Sequence, residues 1–74
     1  MKVRSIGSNV TEVETDKATI LVSYSTPVAA CLKDGSGFYR TSKRFSVTTS
    51  RHINQWLHGA NATEREQSFF DELA

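Results

Sequence analysis

The sequence predicts a small α+β domain: an antiparallel meander of roughly three to four strands, followed by two short helices packed on one face of the sheet. A length of 74 residues allows one such domain, residues 1–74. Strand-like alternation extends to about residue 45, and helical spacing of apolar residues follows it. We therefore expect strands within residues 1–45 and helices at about 49–58 and 64–73.

The first strands are predicted from alternating and β-branched residues. The segment ATILVSY, residues 18–24, is rich in β-branched and aromatic residues and is the clearest strand in the sequence. An imperfect alternation at residues 10–14 predicts the strand before it, and the polar ETDK segment predicts the turn between them. The N-terminal KVRSI segment is a candidate additional strand.

The next segment has the pattern of a hairpin. Pro27 cannot donate a hydrogen bond to a sheet, so we expect it at the start of the strand VAACLK or on an edge. The KDGSG segment predicts a tight type I′ turn, because Asp-Gly supports the positive φ angles that this turn requires. FYRT is then the returning strand.

The first helix is predicted within TTSRHINQWLHG, residues 48–59. Its apolar anchors share one helical face through i, i+3 and i+4 spacing: Ile53, Trp56 and Leu57. Thr49 or Ser50 is the expected N-cap, and Gly59 suits the left-handed position past the helix end.

The second helix is predicted from a capping box and an apolar stripe. Thr63 is the expected cap, with Glu66 three residues further on. Phe69, Phe70 and Leu73 form the stripe, and we expect at least one phenylalanine to close the domain's own core. The predicted core consists of Ile20, Val22, Leu32, Trp56, Phe69 and Phe70.

Composition limits the class of protein. The single cysteine, Cys31, rules out a disulfide within the chain and favours a reducing compartment. The N-terminal residues lack the apolar run of a signal peptide, and no stretch of about 18 apolar residues predicts a membrane span. We expect a cytoplasmic protein that does not bind membranes. Its thin core favours a homo-oligomer.

Charge is distributed unevenly along the chain. Residues 1–60 hold eight Lys or Arg and four Asp or Glu, which gives a net charge of +4. Residues 61–74 hold one Arg and four acids, which gives −3. A mildly basic body with an acidic tail is a dipolar arrangement, although the overall net charge is only +1.

No group of residues has the pattern of a catalytic or metal site. Cys31 with His52 or His58 would be a nucleophile and a base, but the apolar VAACL context predicts a buried, inert thiol. The two histidines lie about 240° apart around a helix, so they cannot share an ion there. Gly35 and Gly37 belong to the hairpin, so no phosphate-binding loop is present. We predict no enzyme, no catalytic residue, no metal and no cofactor.

Binding is the function that the basic segment between residues 33 and 51 suggests. Its cations alternate with Phe38, Tyr39 and Phe45, a mixture that suits phosphate contact and base stacking. Alternatively, these charges are an ordinary solvated face that protects a sheet edge. The candidate partner- or nucleic-acid-binding residues are Arg40, Lys43, Arg44, Arg51, Asn54 and Gln55.

Two hypotheses follow from this segment. The first is a non-enzymatic accessory protein that binds another protein, because exposed aromatics rimmed by arginine are natural interface anchors. The alternative is weak DNA or RNA binding through the basic segment, with Lys43, Arg44, Arg51 and Gln55 as the binding residues. Arg51, Asn54 and Gln55 are residue types that read base edges from a helix.

Two segments carry a resemblance to a known group of proteins. SYSTPVAA, residues 23–30, and TTSRHINQWL, residues 48–57, resemble parts of short uncharacterised proteins of tailed bacteriophages. The resemblance extends over residues 18–60. It implies a phage-encoded early or accessory protein that acts in a bacterial cytoplasm. The partner in the first hypothesis is then a host or phage protein. The resemblance implies no catalytic activity.

Overall fold

Six strands and two helices form the part of the chain that the computed structural model describes, residues 1–73. In chain order they are β1 (Lys2–Gly7), β2 (Val10–Glu14), β3 (Ala18–Ser23), β4 (Thr26–Leu32), β5 (Gly37–Thr41), α1 (Val47–Leu57), β6 (Ala62–Arg65) and α2 (Gln67–Leu73). The predicted α+β class is confirmed, and the candidate N-terminal strand is present. Residue 74 of the predicted domain lies outside the described residues.

The strands form one mixed sheet in the order β1-β2-β3-β4-β5-β6. The first five strands are an antiparallel meander, whereas β6 pairs parallel with β5. The predicted count of three to four strands was therefore too low. The missed strand, β6, covers most of the expected capping box. Thr63 faces Tyr39 in the parallel ladder and does not cap a helix, so the second helix begins at Gln67.

The helices pack on opposite faces of the sheet, so the prediction that they share one face was wrong. On the α1 side, Ile53 and Leu57 pack with Val10, Leu21, Val28 and Ala29. On the α2 side, Phe70 packs with Ala18, Ile20 and Ala30. Strand β3 contributes alternate residues to both clusters because side chains on a strand point to the two faces in turn. The sheet is therefore the middle layer of a three-layer structure.

The predicted core residues are all in these two layers. Ile20 and Phe70 are fully buried, and Trp56, Phe69, Val22 and Leu32 are half-buried at the edges of the clusters. None of the helices within residues 1–73 is long and apolar enough to cross a membrane.

The N-terminal end of α1 differs from the prediction, and its C-terminal end agrees in part. Ser46 is the N-cap, and its hydroxyl accepts a hydrogen bond from the Thr49 backbone N–H at 3.2 Å. Thr49 and Ser50 lie inside the helix. Gly59 has the expected positive φ, 81°, but His58 is the first left-handed residue, with φ 51°.

The hairpin between β4 and β5 forms as predicted, with a different turn. Leu32 pairs with Gly37, which leaves a loop longer than a two-residue type I′ turn. Asp34 does not have a positive φ, whereas Gly35 and Gly37 do. The Asp34 carboxylate instead accepts a hydrogen bond from the Ser36 backbone N–H at 2.8 Å. Asp34 therefore shapes the loop through its side chain.

Glu12 connects distant parts of the sheet to α1. Its carboxylate accepts a hydrogen bond from the Trp56 indole N–H and another from the Arg4 guanidinium, both at 2.8 Å. Trp56 in turn meets the ring of Phe38 edge-on, with 5.9 Å between centroids. This chain of contacts runs from β1 through β2 to α1 and β5, and it holds the helix against the sheet.

We expect Glu12→Ala to lower the free energy of unfolding by about 1–3 kcal/mol, because it removes a charged acceptor shared by two donors. Urea denaturation followed by the fluorescence of Trp56, the only tryptophan, measures the loss. Glu14→Ala is the control on the same strand, since the Glu14 pair with Lys33 is solvent-exposed. An equally large loss in the control would contradict the role of Glu12.

We expect Phe70→Ala to lower the free energy of unfolding by about 3–5 kcal/mol, since the ring is fully buried and leaves a cavity. Phe69→Ala is the matched control, and its half-buried ring should cost clearly less. Urea titrations followed by circular dichroism compare the two. If Phe70→Ala does not fold, Phe70→Leu gives a measurable loss that must still exceed that of Phe69→Leu.

Candidate binding surface

Three cations converge on one polar cleft of about 300 Å³ between β5, β6 and the start of α1. Arg40 comes from β5, and Lys43 and Arg44 come from residues 42–46, which we call the basic loop. Glu64 of β6 also lines the cleft. The ion pairs formed within residues 1–73 involve other cations, namely Arg4 and Lys33. The three cations of the cleft are therefore available to an external anion.

The basic loop is fixed at both ends. Where it starts, the Ser42 N–H donates to the carbonyl of Arg65 at 2.9 Å, and the Lys43 N–H donates to the Thr41 hydroxyl oxygen at 3.1 Å. The Thr41 hydroxyl itself donates to the Gln67 side chain at 2.8 Å. The loop ends at Ser46, the cap of α1. The loop backbone is thus held by β6, by α2 and by α1.

The structure brings four of the six predicted site residues together. Arg40 donates a hydrogen bond to the Asn54 side-chain oxygen at 3.1 Å, which joins Asn54 to the cleft with Lys43 and Arg44. Arg51 is exposed on α1 and does not line the cleft.

Gln55 is separated from the other predicted residues. It lies beside Trp56 in a different cleft, next to the turn between β1 and β2. His52 and His58 both border that cleft. The angle of about 240° expected between them on a helix does not apply, because His58 lies past the end of the helix in a left-handed conformation. Within residues 1–73, no group of three or more potential ligands is placed to hold a metal ion.

Two of the three aromatic residues in the basic segment pack in the core. Phe38 packs against Trp56 on one face of the sheet, and Tyr39 packs against Phe69 on the other. Phe45 alone of the three interleaved aromatics is exposed, at 39%, with the Lys43 ammonium 5.3 Å from its ring centroid.

A second exposed aromatic, which we did not expect, lies beside Phe45. Tyr24 is at the tip of the hairpin between β3 and β4, is 54% exposed and has a φ of 59°. Tyr24 and Phe45 line a shallow cleft of about 280 Å³, which shares Phe45 and Thr49 with the cationic cleft. We call the continuous patch of Arg40, Lys43, Arg44, Tyr24 and Phe45 the basic-aromatic surface.

A buried hydrogen-bond network lies behind this surface. The Ser23 hydroxyl is 2.8 Å from His52 Nδ1 and 3.1 Å from the Thr49 hydroxyl. A serine beside an imidazole is half of a nucleophile–base arrangement. Here the serine is only 2% exposed and its hydroxyl is shared with Thr49, so a substrate cannot reach it. The network joins α1 to the end of β3 and supports the base of the Tyr24 turn.

Two carboxyl groups have pKa values below their ordinary range, and neither belongs to the basic-aromatic surface. A hydrogen bond from Lys33, reinforced by the charge of its ammonium, lowers the pKa of Glu14. Hydrogen bonds from Ser36 lower the pKa of Asp34. Both groups are solvent-exposed and stabilise local turns and strands.

The comparisons with known proteins identify a family but no activity. A family model described as "Family of unknown function (DUF8033)" matches residues 1–72, so the chain belongs to this family. No curated protein and no solved structure matches the chain. The chemistry of the basic-aromatic surface is therefore the evidence that bears on function.

We expect Ser46→Ala to lower the free energy of unfolding by about 1 kcal/mol, because it removes the N-cap of α1 and releases one end of the basic loop. Ser50→Ala, inside the same helix, should change stability by less than about 0.5 kcal/mol. Urea denaturation of both variants measures the difference. A larger effect at Ser50 would contradict the assignment of the cap.

Proposed function

We propose that this member of the DUF8033 family is a non-enzymatic binding protein whose basic-aromatic surface binds an acidic segment of a partner protein. One observation carries the proposal: Arg40, Lys43 and Arg44 converge on one cleft, with no acidic partner among residues 1–73 within ion-pair distance, directly beside the exposed rings of Tyr24 and Phe45. Charge and apolar area in one place are typical of a protein interface.

The cations would recognise carboxylates. An arginine guanidinium can donate two parallel hydrogen bonds to one carboxylate, which fixes both its position and its orientation. The Arg40 side chain is already oriented by its hydrogen bond to Asn54. Lys43 and Arg44, which are exposed, can adapt to the partner. The carboxylate of Glu64 lines the same cleft and repels anions, so it limits how much negative charge the cleft can bind.

The aromatic residues would supply most of the binding energy. Tyrosine buries a large area at little cost in side-chain entropy, which makes it a frequent interface anchor. The backbone of Tyr24 supports this assignment, because a left-handed conformation costs a residue other than glycine about 1 kcal/mol. Strained residues of this kind concentrate at functional sites. Val47, two residues after Phe45, is a further exposed apolar residue, at 72%.

A non-enzymatic role is supported by the chemistry around the surface. Ser23, the serine that contacts an imidazole, is buried, and its hydrogen bonds hold α1 against the sheet. The thiol of Cys31 is on β4, away from the residues that line either cleft of the surface.

Single-stranded nucleic acid is the second candidate partner. The exposed rings of Tyr24 and Phe45 beside cations would suit base stacking with phosphate contacts. A protein partner is favoured over nucleic acid because only three cations line the cleft, the charge of Glu64 offsets one of them, and the net charge of the chain is +1. The tailed-bacteriophage origin, and the bacterial cytoplasm that it implies, remain predictions of the sequence resemblance.

We expect Lys43→Glu/Arg44→Glu to reduce partner capture from a bacterial lysate at least tenfold, because the cleft then repels an acidic segment. Lys17→Glu, in the exposed turn between β2 and β3, is the matched control and should capture the partner as well as the wild type. Arg51→Glu tests whether the exposed side of α1 contributes. Equal capture by the double variant would overturn the proposal.

Oligonucleotide binding separates the two candidates. Labelled single- and double-stranded oligonucleotides are titrated from low to moderate salt, because phosphate contacts are strongest at low salt. Binding that the double variant loses would favour nucleic acid. If no oligonucleotide binds even at low salt, nucleic acid is ruled out as the partner.

We expect Tyr24→Asn to weaken partner capture while leaving the fold at least as stable as the wild type. Asparagine tolerates the left-handed conformation better than tyrosine, so relief of strain offsets the lost contact with the His52 ring. Urea denaturation and capture are measured on the same preparation. A less stable variant that still captures the partner would show that Tyr24 serves the fold.

A further inference from the structure

The two outer strands of the sheet leave their backbone groups unpaired on one side. β1 pairs only with β2, and β6 pairs only with β5, among residues 1–73. All six residues of β1 are exposed, as are the last three of β6. Free N–H and C=O groups in an exposed edge are a template for pairing with another strand.

The two edges carry opposite charge. β1 contains Lys2 and Arg4 and no acid, whereas β6 with the residue after it contains Glu64, Arg65 and Glu66. Two of the four acids in the acidic tail, Glu64 and Glu66, therefore lie at or beside the β6 edge, and a basic strand forms the other edge.

The complementary charges lie on the same face. Arg4 bonds to Glu12, which also bonds to Trp56 of α1, so Arg4 and its i−2 neighbour Lys2 are on the α1 face. Ala62 packs in the α1 cluster, so its i+2 neighbour Glu64 is on that face as well. A β1 edge set against a β6 edge, with the helices aligned, would bring Lys2 near Glu64.

We infer that a second copy of this chain adds to the sheet, with β1 of one copy pairing with β6 of the next. The contact would also cover Val3 and Ile6, which are 67% and 42% exposed. Because the two edges differ, the contact is head-to-tail and leaves one edge of each kind free. β6 has only four residues, so each contact is small and association depends on concentration.

Sedimentation velocity from about 10 μM to 1 mM tests the inference, at low and at moderate salt. The average mass of the wild type should rise with concentration and fall with salt. Lys2→Glu blocks the β1 edge without touching the Arg4–Glu12 pair, and Glu64→Lys blocks the β6 edge. Each variant alone should remain a monomer, with unchanged circular dichroism.

Mixing the two blocked variants gives the sharpest outcome. In the mixture, each β1 edge meets a β6 edge of opposite charge on the other variant, so the two variants should associate with each other although neither associates alone. A single chain that carries both substitutions should associate again, because the charges are exchanged. Monomeric wild type at every concentration would overturn the inference, since the edge charges would then only prevent pairing. Self-association of Glu64→Lys alone would indicate β1 pairing with β1 and would overturn the head-to-tail contact. No partner protein is present in these measurements, so they are independent of the proposed function.

Discussion

Burial of the central strands on both faces is the constraint on which the rest of the structure depends. β3 and β4 place Ile20 and Ala30 in one cluster and Leu21 and Ala29 in the other, so each face needs its own covering layer. With only two helices available, one must cover each face. The chain therefore has to pass from one side of the sheet to the other between α1 and α2. β6 makes this passage: it runs along the edge beside β5 and delivers α2 to the opposite face.

The contacts that hold α1 against the sheet also fix the position of the candidate binding surface. The hydrogen bond between Glu12 and Trp56 holds the last turn of α1, and the hydrogen bonds of Ser23 with Thr49 and His52 hold its first half. The basic loop is the short connection from β5 to the fixed start of this helix, and hydrogen bonds hold both of its ends. The backbone of the basic-aromatic surface is consequently preorganised before a partner arrives, which reduces the entropy cost of binding.

The sequence predicted the elements whose signal is local, and it failed where tertiary contacts decide. ATILVSY was recognisable as a strand from its composition, but Thr19 and Ser23 interrupt its apolar residues, so the segment does not indicate that both of its faces are covered. Thr63 to Glu66 has the polar composition of a helix start, and only pairing with β5 places residues 63–65 in a strand. Four of the predicted site residues meet because β5 lies under α1. Tyr24 was missed because its exposure follows from a left-handed turn residue, which its sequence neighbours do not indicate.

Glu64 links the two proposed interactions. It lines the cationic cleft through its place on β6, and it belongs to the edge that a second copy would approach. A lysine from that copy would offset the one negative charge in the cleft, so an acidic partner would meet less repulsion there. Assembly and partner binding would then favour each other. Because coupling between two binding equilibria is reciprocal, the partner must strengthen self-association by the same factor by which self-association strengthens partner binding.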